Sequence, residues 1–281
     1  MLTPSTPDLT PSALPPVIGV VASQLLNPYQ QKVLDEVTRQ LNAHGVITVL
    51  LNAEADTALT ALLRQASPLA LRGLLLLPGN RVTDACDLPV LDIKAEPALQ
   101  ADALRAGEVT AELLIAQGHQ TFGFMQSQPG ESAQKQGYST TLQAAGKALN
   151  VELTAEGDDR DGAYQVMMHY LKKTRAAERI QALFCESDLL AFGAMQAMRD
   201  FGQGAHLAVA GFGDSEEARS STWHLTSWSS DISQILGNAI NRWLGQPAEI
   251  SRGQGQLQRR HSHFGKILPG EMSACGCAFR H

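Results

Sequence analysis

The chain has 281 residues, 44% of them hydrophobic and 18% charged, with a net charge of −6. That length exceeds one small core and suits two α/β lobes, and the apolar fraction excludes a disordered chain. The acidic balance, with no dense Lys/Arg run, excludes a chain that grips DNA phosphates by itself.

The first 16 residues, rich in Pro, Ser and Thr, carry neither a basic n-region nor an apolar h-region. They are expected to be a flexible leader and not a secretory signal. Val17–Val21 (VIGVV) is a β-branched run of the kind that forms buried parallel strands. Asn27-Pro28 opens a helix, with Pro28 suited to its first turn and Val33, Val37 and Leu41 on one face. Gly45 ends it, and Val46–Leu51 is the next strand. A helix over Thr57–Gln65 follows, then strands Gly73–Leu77 and Pro89–Ile93. The apolar run near Leu74–Leu77 falls far short of the roughly 20 residues that cross a bilayer, so no membrane span is expected. Ala101–Ala116 is a helix closed by Gly118, and Thr121–Gln126 a strand.

The same alternation then restarts. Ser132–Leu149 is expected to be helical, Val151–Leu153 a strand and Ala163–Lys173 a helix. Ile180–Cys185 is a strand, Leu189–Asp200 a helix and His206–Gly211 a strand. Leu225–Trp228 leads into a helix from Ile232 to Leu244. Alternating strands and helices specify a doubly wound parallel sheet, here twice over: an α/β chain of two Rossmann-like lobes. The turn Glu186-Ser187-Asp188 falls at the carboxyl end of a strand, where open α/β sheets take ligands. Asp188 is also expected to cap the helix that follows, its carboxylate accepting free backbone N–H groups.

No GxGxxG follows a strand, and no P-loop, HExxH or GxSxG occurs, so no nucleotide cofactor is expected. No nucleophile–base–orienter set can be named, which argues against an enzyme. His261, His263, Cys275, Cys277 and His281 match no common zinc spacing, so no metal site is expected. Cys185, inside an apolar strand, reads as a buried thiol, and the use of four cysteines suits a reducing cytoplasm. Trp243 lies on an apolar helix face, whereas Trp228 could face a ligand.

Several segments, taken in order, resemble the effector-binding core of the LacI/GalR family of bacterial transcription regulators, itself similar to type I periplasmic binding proteins. They are VIGVV…LLNPYQQ, LIAQGHQTFGFM (Leu114–Met125), GYSTTLQAAG (Gly137–Gly146), ALFCESDLLAFGAMQAM, AVAGFGDSEEA, LTSWSSDI and KILPGEM (Lys266–Met272). The resemblance covers about Val17 to Gly270. It implies two lobes joined by three crossovers, residues 17–127 plus 230–252 and residues 128–229 plus 253–281, with 1–16 as leader. It also implies a small-molecule cleft between the lobes, a homodimer and a cytoplasmic location. DNA would be held only through a helix-turn-helix, which is expected to be absent from this chain. A stand-alone solute-binding protein and a sensory module of a larger signalling protein are the alternatives.

By the resemblance, Ser23, Gln24, Tyr29 and Lys94 would line the ligand site from the first lobe. Gln134, Asp188, Gly213 and Asp214 would line it from the second. Three positions depart from the family pattern, one of them a family acidic position after the Pro89 strand that falls at Lys94, with Asp92 as its substitute if the register shifts. The family's arginine before Gly-Tyr falls at Gln134, and its aspartate in the Gly-Phe-Asp turn falls at Gly213, leaving Asp214 one place on. A rigid guanidinium fork and an acceptor for paired hydroxyls are thereby lost. The expected ligand is therefore not an ordinary neutral sugar, or else the cleft has lost ligand binding. Lys94, near Asp92, points to an anionic ligand.

Overall fold

The computed structural model describes residues 6–7, 15–22, 26–52, 61–63, 69–78, 87–202, 205–249 and 255–265. They divide into two compact units, one formed by residues up to 102 with 230–254, the other by 103–229 with 255 onward.

The first unit holds a four-stranded parallel sheet of β1 (Val17–Ala22), β2 (Ile47–Asn52), β3 (Gly73–Leu76) and β4 (Val90–Asp92). The strands lie in the order β2-β1-β3-β4. Helix α1 (Pro28–Ala43) starts at a capping box. Asn27 Oδ1 accepts from Gln30 N at 2.7 Å, and Gln30 Oε1 accepts from Asn27 N at 3.0 Å, so two orphan donors of the first turn are satisfied. Val33, Val37 and Leu41 are its buried residues, spaced to put one stripe on the sheet. They meet Ile18, Val20 and Leu75 of the strands, and Ile235, Leu236, Ile240 and Trp243 of the helix Ile232–Trp243. Of the expected helix Thr57–Gln65 only residues 61–63 are described, and those are helical.

The second unit holds a six-stranded sheet of β5 (Phe122–Gln126), β6 (Leu149–Thr154), β7 (Ala182–Cys185), β8 (Ala208–Phe212), β9 (Thr226–Ser229) and β10 (Gln256–Gln258). Its order is β10-β9-β8-β7-β5-β6, parallel except for β10, which runs antiparallel to β9. The helices are α2 (Pro97–Ala116, whose first residues belong to the first unit), α3 (Ala133–Ala144), α4 (Arg160–Lys173) and α5 (Asp188–Phe201). The helix Ile232–Trp243 is α6. Strand alternation sorts the core. Met125, Leu183, Cys185 and Val209 pack with Ala163, Met167, Leu190 and Ala194 of α4 and α5. Phe122, Phe124 and Phe184, one residue out of phase, surround Tyr138 of α3 at ring-centroid distances of 6.5, 6.3 and 5.3 Å.

Three expectations need correction. The strand Phe122–Gln126, assigned to the first lobe's residues 17–127, lies between β6 and β7 in the second sheet. Helix α2, which precedes it, is already held there by α3. A Cβ on Gly107 would stand 2.0 Å from Gln134 O, and one on Gly137 would stand 2.0 Å from Leu104 O, so the two backbones nearly touch. The helix expected over Ser132–Leu149 stops at Ala144, where Lys147 N closes the turn onto Leu142 O at 2.8 Å and frees Leu149 to open β6. Trp228 is buried within β9, so its ring belongs to the core.

Candidate functional site

The second unit gathers its polar residues at one edge. Strands β5, β7 and β8 are parallel neighbours, so Ser127, Glu186 and Gly213 all leave the sheet at its carboxyl end. Helices α3, α4 and α5 begin there, capped by Ser132, Asp159 and Ser187, whose side chains accept from Lys135 N, Gly162 N and Leu190 N. Asp188 is thus not the cap that was expected but the first helical residue. Its carboxylate is drawn away, accepting from the Ser227 hydroxyl at 2.6 Å and from Ser215 N at 2.7 Å. Gly211 allows this approach, since a Cβ there would meet Asp188 Oδ1 at 2.4 Å. Burial pushes the Asp188 carboxyl up, and the Ser227 and Ser215 hydrogen bonds work against that rise.

Gly213 N donates to Trp228 O at 2.9 Å, which ties the turn after β8 to β9. Asp214 follows in a left-handed conformation (φ 47°) with its side chain buried. Each of its oxygens accepts from an arginine: Oδ1 from Arg260 Nη2 at 2.5 Å and Oδ2 from Arg219 Nη2 at 2.8 Å. Gln134 is buried on α3, with Nε2 donating to Glu186 O at 3.3 Å. Gln134, Asp188, Gly213 and Asp214 therefore do share one sheet edge.

In the first unit, Tyr29 is half-buried in the first turn of α1. Burial and then the Asp102 carboxylate push its phenol up. Lys94 is exposed in the single 3-10 turn after β4, where Asp92 Oδ1 accepts from its backbone N at 2.9 Å. An anionic ligand thus finds no buried cation at Lys94. Ser23 and Gln24 lie outside the described residues, as do Cys275, Cys277 and His281. His263 bonds Thr226 Oγ1 through Nδ1 at 2.8 Å. Among the described residues no group of three or more His, Cys, Asp or Glu is placed to hold a metal ion, and no helix is long and apolar enough to cross a membrane.

Residues 15–221 match the family described as periplasmic binding proteins and sugar binding domain of LacI family. The chain belongs to this family. It is 28% identical over 222 residues to a ribose operon repressor of Haemophilus influenzae, covering 72% of this chain and 65% of that protein. The chain thus spans about two thirds of that relative's length. It is similar in fold to a LacI-family regulator from Enterococcus faecium with bound ribose (TM-score 0.71, 20% identity, 89% of this chain and 100% of the other). A LacI-family regulator from Lactobacillus casei with bound glucose is similar too (TM-score 0.65, 19% identity, 88% and 99%). In this LacI-type domain, residues beyond those expected also reach the edge. Ser127 and Glu186 pair across β5 and β7, and Arg260 reaches Asp214 from beyond β10. Glu186 was visible in the same turn as Asp188, but Arg260 had no signal, because a three-residue polar strand brings it in.

Proposed function

We propose that the chain is the effector-sensing part of a LacI-type bacterial transcription regulator, recognising a small sugar-like metabolite without transforming it. The match of residues 15–221 to a sugar-binding family carries this reading. The polar edge of the second sheet, built from Gln134, Glu186, Asp188 and Asp214, supports it, since parallel sheets take ligands at their carboxyl ends. The net charge of −6 favours sensing over gripping DNA phosphates, a task for a separate DNA-binding head. A cytoplasmic homodimer is the form in which such a sensor would act, with the effector shifting the protein between two states of different affinity.

Calorimetry of the chain against ribose, glucose, sucrose, glucosamine and glucose 6-phosphate tests the reading. Saturable binding of at least one, with the sugar recovered unchanged, is expected. Turnover of a bound sugar, or no binding across the panel, would overturn it. Sedimentation at micromolar concentration should show a dimer, and a clean monomer would count against the regulator.

A further inference from the structure

Glu186 leaves β7 half-buried. Its Oε2 accepts two hydrogen bonds from Ser127, from the backbone N at 2.9 Å and from the hydroxyl at 3.0 Å. Its Oε1 accepts none, and the carboxylate pairs with no cation among the described residues. Lys135, Arg160, Arg219 and Arg260 of this unit are committed elsewhere. Lys135 Nζ sits 2.6 Å from Glu152 and 3.2 Å from Glu131. Arg160 pairs with Glu217 at 2.5 Å, and Arg219 and Arg260 hold Asp214. Beside Glu186 lies Gln134, only 8% exposed, with one Nε2 hydrogen donated to Glu186 O and Oε1 accepting nothing among the described residues.

The patch therefore offers two unused acceptors. Ser127, the nearest donor, is already spent on Glu186. Neither oxygen is sealed from solvent, so each can exchange a water for a donor from outside, and Glu186 brings a charge that no cation among the described residues offsets. A sugar hydroxyl can donate one neutral hydrogen bond. A protonated amine supplies both donors and counter-charge, and charge-assisted bonds are roughly twice as strong as neutral ones. An anion meets like charge.

We propose that Glu186 Oε1 and Gln134 Oε1 form an acceptor-rich subsite selecting a polyhydroxylated effector that carries a protonated amino group. The subsite deepens the sugar-like reading above and rests on it. The test is calorimetry of the chain at pH 7 with glucosamine, glucose and glucose 6-phosphate as probes and ribose as control. Glucosamine should bind about ten-fold more tightly than glucose, the worth of one charge-assisted hydrogen bond. The ratio should shrink in high salt and vanish in Glu186→Gln. The salt dependence is read on the unaltered chain, so it stands even if the variant folds poorly. Equal affinity for glucose and glucosamine, tighter binding of the phosphate, or a preference that survives Glu186→Gln would overturn the subsite. Binding of glucose or ribose in those cases would leave the sugar-like reading intact, whereas failure of all four probes to bind overturns both.

Discussion

Asp214 and its two arginines give a sharp energetic contrast. The Asp214 side chain is 4% exposed, Arg260 16% and Arg219 60%. Arg260 also donates Nη1 to Leu225 O at 2.6 Å, so it is fixed at both ends of its fork. Removing one partner of a buried pair costs about 3–5 kcal/mol, because the remaining charge stays buried. Arg219 persists in Arg260→Ala and offsets roughly 1 kcal/mol of that, leaving an expected loss of about 2–4 kcal/mol. Arg219→Ala removes a mostly exposed partner and should cost no more than about 1 kcal/mol. Urea unfolding followed by tryptophan fluorescence measures both. The chain has three tryptophans, and a Trp243→Phe background leaves emission from Trp223 and Trp228 of the second unit. The two units need not unfold together, so this restriction makes the midpoint interpretable. A loss below about 0.5 kcal/mol for Arg260→Ala, or a larger loss for Arg219→Ala, would refute the account of a buried carboxylate held mainly by Arg260.

Ser187→Ala should cost about 1 kcal/mol in the same assay by removing the α5 cap. Asp188→Ala should cost more, since it strands the buried Ser227 hydroxyl and Ser215 N–H at about 1–3 kcal/mol each, and equal losses would contradict the division of roles. Gly137→Ala places a methyl 2.0 Å from Leu104 O and should lower stability by about 1–3 kcal/mol, read as a fall in Tm; an unchanged Tm would mean that α2 and α3 are not in such close contact. His263 is expected to make stability fall as pH drops from about 6.5 to about 4. Burial, then the Arg259 charge, lowers its pKa to about 4 in the folded chain, so below its ordinary value of 6.5 the unfolded chain binds a proton that the folded chain refuses. His263→Gln should flatten that slope of midpoint against pH, and an unchanged slope would assign it to other groups.

Much of the frame was legible because it rests on local patterns. The β-branched run Val17–Val21, the stripe Val33, Val37 and Leu41, and the buried runs at Ile180–Cys185 and Ala208–Phe212 each carry their periodicity within one segment. The grouping of Gln134, Asp188, Gly213 and Asp214 at one edge followed too, since strand ends in a parallel sheet share an edge whatever their order. What escaped depends on contacts between distant segments. Ser187 and Asp188 are both good caps on chemical grounds. Only Ser215 N and the Ser227 hydroxyl, 27 and 39 residues on, decide that the aspartate turns away and the serine caps. Likewise the backbone contact between α2 and α3 through Gly107 and Gly137 fixed β5 in the second sheet, although the strand itself looks the same in either.

The same physics reorders the polar residues by availability. Asp214 has the acidic chemistry expected of a hydroxyl acceptor, yet Arg260, 46 residues away and delivered by the antiparallel return of β10, has taken one oxygen while Arg219 holds the other. Each oxygen of Asp214 already accepts a charge-assisted bond and the side chain is only 4% exposed, so a ligand's donor has little access to the lone pairs that remain. Glu186, two residues from the conspicuous Asp188, keeps an oxygen that Ser127 does not reach. Residue type shows which side chains could accept a ligand's donors, but internal pairing sets which of them still can. In the proposed subsite the burden of recognition falls on Glu186 and Gln134 and not on Asp214 and Asp188. It also gives a direct contrast in the calorimeter. Glu186→Gln should change which probe binds best, whereas Arg219→Ala, which loosens only Asp214, should leave the order of the probes as it was.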